Sequence, residues 1–234
     1  MNVCLAPCPV VFDLDGTLID SAPDIQACVN AVLTDIGAVP LDLNEVRGFV
    51  GEGVETLWRK VVAARRLDDA RMSDLVRAFM ALYEHAHDRT TVFPEVSETL
   101  ETLAGRGHPL GICTNKPLSV THAALAHAGL AHLFDCLIGG DSTPFRKPHP
   151  LPLRRALERL GADPRRPHAI YVGDSEFDAA CAASLGVPFL LYAQGYRRSG
   201  ASEMVHAAAF DDFSHLPALV EAHGQREGLS AAWS

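Results

Sequence analysis

Short apolar runs rich in β-branched residues recur at 9–13, 110–114, 136–139, 169–172 and 189–192, and between most of them the apolar positions switch to helical spacing. Strands that alternate with helices predict an α/β fold: a parallel sheet covered by helices on both faces. Such sheets bind ligands beyond the carboxyl ends of their strands, so the residues that follow each run are where chemistry is expected.

The alternation stops between the first two runs, where about seventy residues intervene and a simple crossover needs only about a dozen. Within this stretch the spacing predicts helices over 23–36, 54–64 and 73–85, the first with Ser21 before it as a cap and Gly37 after it. This predicts an inserted helical domain at 17–85, with 1–16 and 86–234 forming the core. Its two connections would emerge over the strand ends, where a lid can admit substrate and exclude water. After Ala222, Gly224, Gly228 and a small polar finish predict a frayed tail.

Composition narrows the function. The 234 residues are 48% hydrophobic and 21% charged, which excludes a disordered or collagen-like chain. A net charge of -9, with basic residues grouped only in pairs such as Arg65-Arg66 and Arg165-Arg166, argues against nucleic-acid binding. A small phosphorylated metabolite remains an acceptable partner if a divalent cation and a few aimed donors reverse the charge locally. Cys4, Cys8, Cys28, Cys113, Cys136 and Cys181 form no CxxC pair and predict a reducing compartment. The amino terminus lacks the basic region of a signal peptide, and the apolar run at 10–12 is too short to span a bilayer, so a cytoplasmic protein without membrane contact is expected.

The strongest local signal is Val10-Val11-Phe12-Asp13-Leu14-Asp15-Gly16-Thr17, an apolar run that ends on two carboxylates. Magnesium there would neutralise Asp13 and a phosphate oxygen together, so that Asp13 could attack phosphorus. Asp15, two residues on, could protonate the departing alkoxide and then take a proton from the hydrolytic water. Gly16 lets the chain turn tightly. Further strand ends present Thr114, a hydroxyl for phosphate, Lys147, an ammonium for phosphoryl charge, and Asp174 with Asp178 one helical turn later. Asp174 is read as a metal ligand, and Asp178 as a support for Lys147 or a metal-bound water. Each piece alone also fits a turn, a solvated loop or a helix cap. Four successive strand ends carrying Asp-x-Asp, Thr, Lys and Asp make coincidence a poor explanation.

These motifs, Asp13-Leu14-Asp15-Gly16-Thr17, Thr114-Asn115, Lys147-Pro148 and Gly173-Asp174-Ser175, resemble in order those of the haloacid dehalogenase superfamily. Within it the chain is most similar to bacterial phosphoglycolate phosphatases, also through Gly139-Gly140-Asp141-Ser142 and Lys147-Pro148-His149-Pro150. The resemblance implies a Rossmann-like core with a helical cap, and hydrolysis of 2-phosphoglycolate to glycolate and phosphate through an aspartyl phosphate. It implies Mg2+ held by the Asp13 side chain, the Asp15 carbonyl and the Asp174 side chain. It also implies phosphate bound by Gly16, Thr114 and Asn115, and bridged to the nucleophile by Lys147.

Arg47 and the Gly51-Glu52-Gly53 loop are the cap residues expected to reach the substrate's carboxylate. Asp15 argues against a dehalogenase, since halide departure needs no acid, and Lys60, beside Trp58-Arg59, reads as a surface residue rather than a Schiff-base lysine. A phosphatase for sugar phosphates or pyrophosphate, a phosphomutase, or a silent phosphate-binding module remain the alternatives, and a dinucleotide site is disfavoured by the lack of GxGxxG. A monomer or homodimer fits. His85, His87, His122, His127 and His132 lack metal-ligand spacing and are expected at or near the surface.

Overall fold

The computed structural model describes residues 7–163 and 168–224; Cys4, the Arg165-Arg166 pair and the tail from 225 lie outside the described residues. The chain runs β1 (Val10–Phe12), β2 (Ile19–Asp20), α1 (Ala22–Asp35), α2 (Leu43–Phe49), α3 (Val54–Arg65), α4 (Met72–Tyr83), β3 (Thr91–Val92) and α5 (Val96–Gly105). It continues through β4 (Leu110–Cys113), α6 (Leu118–His127), β5 (Cys136–Ile138), α7 (Leu151–Arg159), β6 (Ile170–Gly173), α8 (Glu176–Ala183), β7 (Phe189–Tyr192), β8 (Ala208–Phe210) and α9 (Leu216–His223).

Six parallel strands form one sheet in the order β5-β4-β1-β6-β7-β8. The first strand lies inside it, which its unbroken apolar sequence requires, because both of its faces are covered. Successive side chains alternate between two cores: Val10 and Phe12 join Leu100, Leu110 and Val220 beneath α5 and α9, whereas Val11 joins Leu153, Leu157 and Cys181 beneath α7 and α8.

The expected α/β architecture is therefore present. β8 was not expected, because Ala208-Ala209-Phe210 has no β-branched residue and only Phe210 is buried. The helix α2 was also unexpected, although a capping box marks it: the Asp42 carboxylate accepts from the Glu45 N–H at 2.8 Å, and Glu45 returns the bond at 2.9 Å.

The helices α1 to α4 surround a cluster of their own, in which Trp58 and Phe79 meet edge to face at 5.9 Å and Val120 of α6 also takes part. The chain leaves β1 and returns to β4 through β2 and β3, which pair antiparallel. No helix among the described residues is long and apolar enough to cross a membrane.

Candidate active site

Register brings the motifs together. Phe12 lies opposite both Ile112 and Val172, so the residues after β1, β4 and β6 emerge on one edge of the sheet. The Asp13 N–H donates to Val172 O at 2.9 Å and the Thr114 N–H to Ile138 O at 3.0 Å, which extends the ladder into the site and fixes both side chains.

Lys147 arrives from the loop between β5 and α7, and its ammonium lies 2.8 Å from Asp13 Oδ1 and 2.6 Å from Asp178 Oδ1. The Asp13 contact is an ion pair off the hydrogen-bond axis, so this buried oxygen keeps no hydrogen-bond donor. Asp178 is fully engaged: Oδ1 also accepts from the Tyr171 hydroxyl at 2.7 Å, while Oδ2 accepts from the Ser175 N–H at 3.1 Å and hydroxyl at 2.6 Å, capping α8. The helix cap and the support for Lys147 are thus one carboxylate using its two oxygens.

Asp174 Oδ1 accepts from the Thr17 hydroxyl at 3.0 Å, and Oδ2 from the Tyr196 N–H at 2.6 Å. Asp15 Oδ1 accepts from the Ser21 hydroxyl at 2.5 Å and from the Lys116 ammonium at 2.9 Å. Ser21 was expected to cap α1. Its hydroxyl points instead to Asp15, and α1 starts without a side-chain cap, helped by Pro23 in its first turn.

Burial pushes the Asp13 carboxyl up to about 6; Lys147 opposes this and Asp178 adds to it. The Asp174 carboxyl is held well above the usual range by burial and then by the charges of Asp178 and Asp13. The Lys147 ammonium loses solvation, yet Asp13 and Asp178 hold its pKa above that of an ordinary lysine.

Carboxylate oxygens of Asp13, Asp174 and Asp178 all lie within 4.8 Å of one another, three buried acids against the single ammonium of Lys147. The surplus negative charge, the undonated Asp13 oxygen and the all-oxygen donor set fit a hard divalent cation. Asp13, Asp174 and Asp178 together offer the oxygens for such an ion, and Asp178 is also paired with Lys147.

Other expectations are redirected. The Asn115 amide donates to Lys147 O at 3.0 Å and Gly51 O at 2.9 Å, and its carbonyl accepts from the Lys147 N–H at 2.9 Å. Both amide hydrogens are used, so this side chain holds the Lys147 loop in place, and Asn115 lines the main cavity beside Thr114. Arg47, half-exposed, pairs with Asp20 at 2.8 Å and does not line the main cavity. Glu52 also stands outside it, paired with Lys60 and with Arg198, whereas Gly51 and Gly53 do line it. Gly16, at φ 85°, is required by packing, since a Cβ there would lie 2.7 Å from Asp174 Oδ2.

Two polar residues not singled out from the sequence enter the site. Lys116 follows the Thr114-Asn115 pair, and Tyr83 ends α4; both line the cavity with Asp13, Asp15 and Thr114. The position of Lys116 beside a motif was the available signal. Tyr83 gave none beyond an apolar helical face.

The family model for haloacid dehalogenase-like hydrolases matches residues 10–192, which span every one of these groups except Tyr196 and Arg198. The chain belongs to the haloacid dehalogenase-like hydrolases. The resemblance read from the four motifs is thereby borne out. Among curated relatives of this hydrolase, the phosphoglycolate phosphatase of Rhodobacter capsulatus is 44% identical over 218 residues, covering 91% of this chain and 96% of that protein. The plasmid phosphoglycolate phosphatase of Cupriavidus necator is 38% identical, covering 92% and 94% respectively. A crystal structure described as a predicted phosphoglycolate phosphatase from Haemophilus somnus 129PT superimposes with a TM-score of 0.84 at 30% identity, covering 91% of this chain and 97% of that one.

Proposed function

We propose that this hydrolase is a magnesium-dependent phosphoglycolate phosphatase that works through an aspartyl phosphate on Asp13. The observation that carries the mechanism is the buried Asp13 oxygen, undonated, 2.8 Å from Lys147 and on the same strand end as Asp15. The substrate is supported by relatives bearing that activity at 44% and 38% identity over nearly their whole length.

In this reading Asp13 attacks phosphorus while the bond from phosphorus to the glycolate oxygen breaks. Asp15, held by Ser21 and Lys116, gives its proton to the leaving oxygen. Water then attacks the aspartyl phosphate and yields its proton to Asp15, releasing phosphate and restoring Asp13 as a carboxylate and Asp15 as the acid. Lys147 offsets charge on the nucleophile and the transferring group, and the Thr114 hydroxyl, which accepts from the Lys116 N–H, keeps its proton to donate to a phosphate oxygen. Magnesium, held by Asp13, Asp174 and the Asp15 carbonyl, supplies charge neutralisation that lets a carboxylate approach an anionic phosphate.

The helices of 17–85 serve as the cap, a reading supported by their separate hydrophobic cluster and by the paired β2 and β3 through which the chain passes. A cytoplasmic location is supported by the free thiols of Cys8, Cys28, Cys113, Cys136 and Cys181. The test is phosphate release from phosphoglycolate, sugar phosphates, pyrophosphate and an aryl phosphate, with magnesium or chelator, by wild type and Asp13→Asn. A magnesium-dependent preference for phosphoglycolate that vanishes in Asp13→Asn is expected. Preference for another member overturns the substrate, and an active Asp13→Asn overturns the nucleophile.

A further inference from the structure

The main cavity is small, about 40 Å³, and divided in character. Asp13, Asp15 and Thr114 line its core side; Ile25, Val54, Leu57 and Phe79 give it an apolar wall from the helices. A water takes about 10–15 Å³ by this measure, so the cavity holds about three or four water-sized groups and no bulky ligand. Such an enclosure favours a short organic group.

Lys116 is the one basic side chain among the described residues that line this cavity, and it is buried. Its ammonium donates to Asp15 Oδ1 at 2.9 Å and to the Tyr83 hydroxyl, and it lies 4.6 Å from the Tyr83 ring centroid. An ammonium has three hydrogens, so one remains for a ligand. The Tyr83 hydroxyl, which accepts from Lys116, keeps its own hydrogen to donate. Two aimed donors thus meet next to the acid that serves the leaving oxygen, inside an apolar enclosure where an ionic hydrogen bond is strengthened. Lys147 is paired with Asp13 and Asp178, Arg47 with Asp20 and Arg198 with Glu52, and neither arginine lines this cavity.

We propose that Lys116 and the Tyr83 hydroxyl form the subsite that recognises the carboxylate of the substrate, a role the sequence had suggested for Arg47. This rests on the phosphoglycolate reading and locates its specificity. A carboxylate one carbon from the bridging oxygen would lie on the Lys116 side of Asp15, while the phosphate faces Asp13. A substrate of the same length with a hydroxyl in place of the carboxylate would leave the ammonium without its anion.

The test compares kcat/KM for 2-phosphoglycolate and 2-hydroxyethyl phosphate, with magnesium, in wild type, Lys116→Met and Tyr83→Phe. Because Lys116 also holds Asp15, Lys116→Met is expected to slow both substrates, and the ratio decides. The preference for phosphoglycolate should fall by about 30-fold or more in Lys116→Met, as loss of a hydrogen bond to a charged group implies, and by about tenfold in Tyr83→Phe. Equal losses on both substrates in Lys116→Met would overturn the subsite and leave Lys116 a positioning residue for Asp15. If Lys116→Met does not fold, Tyr83→Phe decides alone: an unchanged preference overturns the proposal. A wild type with no preference for the carboxylate overturns the subsite and the substrate reading together, whereas a preferring wild type with indifferent variants defeats the subsite only.

Discussion

Replacing Lys147 by methionine removes a charge while nearly keeping the length of the side chain, so the effect is electrostatic. The Lys147 side chain is 2% exposed, and those of its partners Asp13 and Asp178 are 8% and 0% exposed, so solvent replaces little of what is lost. Removing one member of a buried pair costs about 3–5 kcal/mol, because the surviving charges stay desolvated. For a chain of this size each kcal/mol moves Tm by about 2–4 °C, so Tm should fall by about 6–20 °C.

The pH dependence has a definite sign. The Asp13 carboxyl is already raised from its ordinary 3.8 to about 6, and Lys147 is the main force opposing that rise, so the variant raises it further. Between the ordinary and the folded value, the folded chain holds a proton that the unfolded chain has lost. Stability therefore declines as pH rises through this window, and the full cost appears above the folded value. The variant's deficit should be larger at pH 8 than at pH 5. Calorimetry in chelator at the two pH values is the assay. A deficit under about 3 °C, or one equal at both pH values, would refute the claim that Lys147 neutralises the buried acids.

Two further outcomes follow from the same cluster. Magnesium at one concentration, about a hundred times its Kd at pH 8, should raise the wild-type Tm by about 5–10 °C at pH 8 and by less at pH 5, since protonated Asp13 and Asp174 must give up their protons to bind it. An equal rise at both pH values would mean that the ion binds elsewhere. Gly195→Ala would place a Cβ 2.2 Å from Asp174 Cβ, and should cost about 1–3 kcal/mol and most of the magnesium-dependent phosphatase activity. Wild-type Tm and activity in this variant would show that the Asp174 position is not fixed by the loop after β7.

The sequence by itself determined the fold class and the order of the chemical groups, because both follow from local chemistry. A strand buried on two faces must be an unbroken apolar run, and polar residues at its end must lie at the sheet edge, so Asp13, Thr114 and Asp174 could be placed from the runs before them. Elements with weak local signals escaped: β8 has little β-branched character, and it pairs because β7 offers an open edge.

Only the tertiary structure decided who touches whom. Ser21 carries a helix-cap signature, yet its hydroxyl serves Asp15; Asn115 sits in a phosphate-binding motif, yet its amide is used up by the backbone of Lys147 and Gly51. Arg47 is drawn to Asp20, and Lys116 takes the cavity instead, with Tyr83 brought to it from the far end of α4. The direction of a side chain depends on partners distant in sequence, and spacing along one chain carries no record of them.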